Sequence, residues 1–263
     1  MESAQPTDVP IQLGFADHLA GIEAAVAVLI DHLRTADPGT AVPTCPDWTI
    51  RDLASHMGMV HRWATHIIVN QVTENPDVEI DPAPDGDLAG WVIDGCEALV
   101  AALRAAPEDL VALTFLKAAP SPKRFWARRQ AHETTIHSID ALAGELGRIP
   151  TTREAAVDTE LAVDGLDELL TGFLPRRSSA LRAQAPMTFV VAPTDVPAAW
   201  TVRLSDGPPV TVRGSDDDAA DAVMTGSAAS LYLGLCNRGD EIAVTGEPEL
   251  LGVWRDKVRI RWS

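Results

Sequence analysis

The sequence predicts a helical first half, arranged as a four-helix bundle, followed by a small α+β domain. Two patterns and one boundary carry this. Apolar residues recur at three- and four-residue steps in long segments up to about residue 146. Beyond residue 180 the pattern changes to short β-branched runs separated by Pro and Gly. The change falls near Gly147–Arg153, where Gly147 and Pro150 stop the last long helix. The expected division is a flexible arm over residues 1–10, a bundle over 11–150 and an α+β domain over 151–263.

The first helix is predicted from about Leu13 to Leu33. Its face is Leu19, Ile22, Val26, Leu29, Ile30 and Leu33, and Pro38-Gly39 lies beyond its end. A second helix starts after Cys45-Pro46-Asp47-Trp48 and runs to about Asn70. Thr49 and Asp52 have the spacing of a capping box, and Trp48 with Leu53 that of a hydrophobic staple. A loop rich in Pro precedes a third helix, Leu88 to Ala105, and a fourth spans Lys123 to Leu146. In the second half, Val157 to Leu170 reads as helix. Met187–Val191, Trp200–Leu204 and Val210–Arg213 read as strands, Ser227 to Cys236 as helix, Ile242–Thr245 as strand and Pro248 to Asp256 as helix. Asp216–Asp218 reads as a solvated turn.

Composition excludes several classes of function. Lys and Arg number 21 against 38 Asp and Glu, a formal net charge of −17, which opposes binding to a phosphate backbone. No apolar run approaches the ~20 residues of a membrane helix. Residues Met1 to Pro10 lack the basic and apolar regions of a secretory signal. The three cysteines, Cys45, Cys96 and Cys236, are widely spaced and form no Cys-x-x-Cys pair, which argues against a disulfide scaffold or a thiolate zinc cluster. The expectation is a soluble, reduced, cytoplasmic protein, a monomer or weak oligomer, without nucleic-acid or membrane partners.

All seven histidines lie within the first 137 residues, so any imidazole chemistry belongs to the bundle. His132 and His137 are five residues apart, about 140° around a helix. They therefore cannot form the four-residue pair of a zinc protease. Glu133 and His137 have that spacing and lie only ~40° apart. Trp126, Arg129, Gln130, Glu133, His137 and Asp140 fall on one stripe of the fourth helix. The stripe is either an inward polar face or a solvated one with an Arg129–Glu133 pair. On the second helix, His56 falls on the apolar face between Leu53 and Val60, with His61 at its edge and His66 pointing away. His56 alone would suit a hydrogen-bonded core residue. With Glu133 and His137 it makes a two-nitrogen, one-oxygen set with an open position, as in catalytic zinc. Asp140 could orient an imidazole or act on a substrate.

The segment from Val42 through Cys45-Pro46-Asp47-Trp48-Thr49 to His56 resembles a signature of the mycothiol-dependent maleylpyruvate isomerase family. The run Glu133-x-x-x-His137-x-x-Asp140 resembles its second motif, although Ile139 departs from the tryptophan-like residue usual there. Ala219–Arg238, with Leu231-Tyr232-Leu233-Gly234-Leu235-Cys236-Asn237-Arg238, is similar to its C-terminal domain. The resemblance implies a DinB-like metal-binding bundle in which His56, Glu133 and His137 hold zinc or another divalent metal. It also implies that Asp140 and Arg238 occupy positions important for activity, and that mycothiol is the thiol cosubstrate. The implied reaction is attack of the mycothiol thiolate on a small electrophile, with cis–trans isomerisation or S-transfer as the outcome. Arg238 would offer a fork to a substrate carboxylate, or would serve only as a cation at a helix C-terminus. Cys45 is either a small residue packed under Trp48 or a thiol that a loop brings to the metal. The other reading of the whole chain is a non-catalytic, metal-stabilised binding or regulatory module of the same fold.

Overall fold

The computed structural model describes residues 13–258 apart from 77, 79, 117–118 and 216–219. The expected arm over residues 1–10 and the turn at Asp216–Asp218 lie outside the described residues. The chain divides into two compact units. One comprises Gly14–Phe115 and Ala119–Pro150; the other is built from the residues from Thr151 onward with Leu13 and Leu116.

The first unit holds four long helices, α1 (Phe15–Thr35), α2 (Ile50–Asn70), α3 (Leu88–Ala105) and α4 (Pro122–Leu146). Helix α1 packs mainly along α4, and α2 along α3. Ile22, Leu29, Leu53, Met57, Val92, Leu99 and Leu103 are fully buried between them. Their three- and four-residue spacing makes burial of one stripe and helix formation the same event. The capping box of α2 forms as expected. Thr49 accepts from the Asp52 backbone N–H, and the Asp52 carboxylate accepts from that of Thr49 at 2.8 Å. At the other end Gln71 adopts the left-handed conformation (φ 52°) and its N–H donates to Ile67, closing the helix.

Two features of this unit differ from the amphipathic pattern. A two-stranded ribbon, β1 (Ala41–Val42) and β2 (Cys45–Thr49), precedes α2; its brevity and Pro46 hide it from any periodicity. Helix α4 is not amphipathic: every residue from Phe125 to Thr135 is buried. Its polar stripe therefore faces protein and must find partners there.

In the second unit a short α5 (Thr152–Ala155) leads to α6 (Thr159–Asp167), which continues as a π-helical turn over Glu168–Phe173. The strands are β3 (Met187–Pro193), β4 (Trp200–Leu204), β5 (Val210–Arg213), β6 (Ala222–Gly226) and β7 (Ala243–Gly246), in spatial order β5-β4-β3-β6-β7. β3 and β6 run parallel and the other neighbours antiparallel. β6 carries no strong strand signal and was not expected; it is held by pairing on both sides. Helices α7 (Ala228–Leu235) and α8 (Leu250–Lys257) complete the unit. Buried Asp167 ties α6 to the sheet. It accepts from Arg213 Nε and Nη2, both at 2.7 Å, and from Trp200 Nε1 at 3.0 Å. Among the described residues, no helix is long and apolar enough to cross a membrane.

Candidate metal centre

The N-terminal half of α2 and the middle of α4 bring His56, Glu133 and His137 together. His56 Nε2 lies 3.3 Å and His137 Nε2 3.2 Å from the same oxygen, Glu133 Oε1. The three donors all lie within 4.8 Å of one another. Glu133 and His137 meet because they are one helical turn apart. His56 reaches them because the Leu53–Val60 face of α2 looks into the bundle.

These distances suit a cation. A charge-assisted N–H···O bond is usually about 2.7–2.9 Å long. Two ligand atoms on a tetrahedral zinc, each about 2.0–2.1 Å from the ion, stand about 3.3–3.4 Å apart. Two imidazole nitrogens and one carboxylate oxygen are also the donor set of an open zinc site.

The surrounding groups fix the donors. The His137 Nδ1–H donates to Asp140 Oδ2 at 2.8 Å, which sets the tautomer and turns Nε2 toward Glu133. Asp140 is fully buried, and Cys45 Sγ lies 3.4 Å from the same oxygen. Arg129 Nη2 donates to the other oxygen of Glu133, Oε2, at 3.1 Å. Burial disfavours the Glu133 carboxylate, but hydrogen bonds from His137 and His56 and the charges of His137 and Arg129 outweigh it and hold its pKa well below the usual range. Burial pulls the His137 pKa down, but the bonds to Asp140 and Glu133 and their charges prevail and raise it to about 9. For His56, burial dominates over the Glu133 hydrogen bond, and the pKa is lowered.

The stripe on α4 is therefore an inward face, and the Arg129–Glu133 pair is part of it. His132 lies on another side of α4, edge-on to His18 with ring centroids 6.2 Å apart. His66 is bonded to Asn70. His61, expected at the edge of the apolar face, is fully buried, with Nε2 3.0 Å from Thr134 Oγ1. Arg238 belongs to the second unit, just past α7. Its backbone N–H donates to Leu233 and its guanidinium to the Cys236 carbonyl at 2.8 Å.

Trp48 was not singled out for the site, yet it lines it. Its ring stacks on His137 (centroids 5.7 Å, planes 22° apart) and lies 4.8 Å from His56. The signal was its position directly before the cap of the helix that bears His56. In the sequence the same residue also has the spacing of a staple with Leu53.

Known proteins give the same frame. The family model described as the mycothiol maleylpyruvate isomerase N-terminal domain matches residues 19–142, and the MDMPI C-terminal domain matches residues 160–252. A crystal structure of the mycothiol-dependent maleylpyruvate isomerase superposes with a TM-score of 0.62 at 17% identity, covering 94% of this chain and 98% of that one. A histidine-to-alanine mutant of that isomerase superposes with a TM-score of 0.61 at 16% identity, with the same coverage of both chains. No curated protein sequence matches. With both domain models matched in order along most of its length, the chain belongs to the mycothiol-dependent maleylpyruvate isomerase family.

Proposed function

We propose that this chain is an enzyme that uses a mycothiol thiolate to attack a small electrophile, as a maleylpyruvate isomerase-like cis–trans isomerase or a mycothiol S-transferase. The observation that carries the reading is the convergence of His56 Nε2 and His137 Nε2 on one oxygen of Glu133. It occurs in a chain matched by both domains of the family.

The proposed ligands are His56, Glu133 and His137, and the proposed metal is zinc. When bound, such an ion supplies a Lewis-acidic position that lowers the pKa of a thiol, so that thiolate forms near neutral pH. The chain's own residues do the rest. Asp140 holds the proton on His137 Nδ1 and keeps Nε2 aimed inward. Trp48 covers the two imidazoles with an apolar surface that limits water at the reacting atoms. Arg238 is the proposed fork for a substrate carboxylate. The thiolate adds to an electrophilic carbon. The addition leaves an enolate; rotation about the resulting single bond and expulsion of the thiolate gives the isomer, whereas protonation of the enolate by solvent with the thiol retained gives the conjugate.

The nucleophile is assigned to the cosubstrate, although Cys45 Sγ lies within 4.8 Å of donor atoms of His137 and Asp140, which makes replacement of the cysteines the deciding test. Burial raises the Cys96 thiol to about 12, and Cys45 faces the Asp140 carboxylate. The test is a screen of zinc-loaded protein with mycothiol against small electrophiles, followed by isomerisation and conjugation assays. The expected result is turnover that depends on added mycothiol and survives replacement of Cys45, Cys96 and Cys236. Stoichiometric zinc with no thiol binding and no turnover would instead identify a non-catalytic metal-stabilised module.

A further inference from the structure

The two oxygens of Glu133 have different partners. Oε1 faces both imidazoles, at 3.2 and 3.3 Å, while Oε2 accepts from Arg129 Nη2 at 3.1 Å. Both Arg129 and Glu133 are buried, so water does not compete for this bond. Arg129 stands one turn before Glu133 on a helix packed on all sides, which leaves its side chain little freedom to withdraw.

A carboxylate can give a metal one oxygen or two. With two, Glu133 and the imidazoles would fill the four positions of a tetrahedral site, so that a thiol could enter only as a fifth ligand. We propose that Arg129, by occupying Oε2, keeps Glu133 a one-oxygen ligand and so holds a coordination position open for the thiol. Arg129 is thus a positioning residue that acts through Glu133. This rests on the thiol-dependent reading above and adds the device that keeps the site reactive rather than closed.

The test uses full-length protein loaded with cobalt(II), in the wild type and in Arg129→Met and Arg129→Lys. Metal content, the visible d–d bands and the thiolate-to-cobalt absorption on titration with mycothiol are read separately. In the wild type, X-ray absorption should show a single carboxylate oxygen on the metal. Arg129→Met should retain one metal per chain but shift to the weaker bands of higher coordination. Its affinity for mycothiol should fall about 10–100-fold. Arg129→Lys, which can still donate to Oε2, should recover most of that loss. A two-oxygen Glu133 in the wild type overturns the proposal without any variant. So does an Arg129→Met protein with wild-type bands and a mycothiol affinity within about twofold, well below the usual effect of losing such a partner. If wild-type cobalt protein shows no thiolate absorption at all, the thiol-dependent reading fails, and this proposal with it.

Discussion

At the scale of residues, the site separates ligands from bystanders by helix geometry. His56→Ala, Glu133→Ala and His137→Ala should each abolish stoichiometric metal binding, whereas His132→Ala and His66→Ala should not. The basis is that His132 and His66 make their contacts elsewhere, with His18 and Asn70. Metal analysis of the purified variants decides this; full metal in the His56 and His137 variants would remove the site. His61 yields a different kind of prediction. Burial depresses its pKa from 6.5 to about 3, so the folded protein keeps this ring neutral while the unfolded chain protonates it. Below pH 6.5 the unfolded state binds the extra proton, and stability falls as the pH drops toward 3. The slope approaches about 1.4 kcal/mol per pH unit well below 6.5, is about half that at 6.5 and fades within about a unit above it. Urea unfolding at pH 6.5 and 5.5 should show a loss of about 1 kcal/mol in the wild type in excess of that in His61→Gln. Equal slopes would mean that the buried ring finds a way to carry its proton.

At the scale of elements, the seam between α2 and α3 is a close join that supports the site, because α2 carries His56. Gly58 lets Trp91 lie against the α2 backbone. A Cβ added there would fall 2.0 Å from Trp91 Nε1. Trp91 is pinned from its face by the Arg62 guanidinium, 3.4 Å from the ring centroid, and Arg62 donates to the Gly58 and Trp91 carbonyls. Gly58→Ala would gain about 1 kcal/mol in helix propensity. Overpacking in a core typically costs about 1–3 kcal/mol. The clash wins because the ring cannot move without breaking the Arg62 contacts, so the melting temperature should fall. A rise would show that Trp91 swings aside freely. The contrast among helices also explains what the sequence revealed. Helices α1 and α2 were legible because one face is buried and the other is not, and their ends carry cap and stop residues. Glu133 and His137 were legible because four-residue spacing is a local rule. The burial of α4 on every face between Phe125 and Thr135 was not, since a stretch enclosed by protein shows no polar–apolar alternation. Trp48 was missed because its partners, His56 and His137, come from two different helices, and β6 because its strand state depends on β3 and β7.

At the scale of the whole molecule, metal and substrate recognition are proposed to be divided between two stretches of chain. All three proposed ligands, with Asp140 and Arg129, lie before residue 141, whereas Arg238 lies in the unit that follows Thr151. The proposed domain boundary near Gly147–Arg153 makes the division testable. A truncated chain ending at Arg153 retains α1 to α4 and the Glu133–His56–His137 constellation. The buried stripes of these helices face one another, so the bundle should fold alone, though with less stability, as expected for a smaller core. It should bind one metal per chain and still show thiolate absorption with cobalt and mycothiol. It should not turn over a carboxylate-bearing electrophile, because the proposed carboxylate fork is gone. Adding Arg238→Met in the full-length protein separates loss of the fork from loss of the domain. That variant should keep its metal and its thiol affinity while its KM for the carboxylate substrate rises about 10–100-fold, the usual effect of losing a charged hydrogen-bonding partner. Full turnover by the truncated chain would remove Arg238 from the mechanism. A truncated chain that is helical by circular dichroism yet holds no metal would show that the ligand geometry itself depends on residues beyond Arg153.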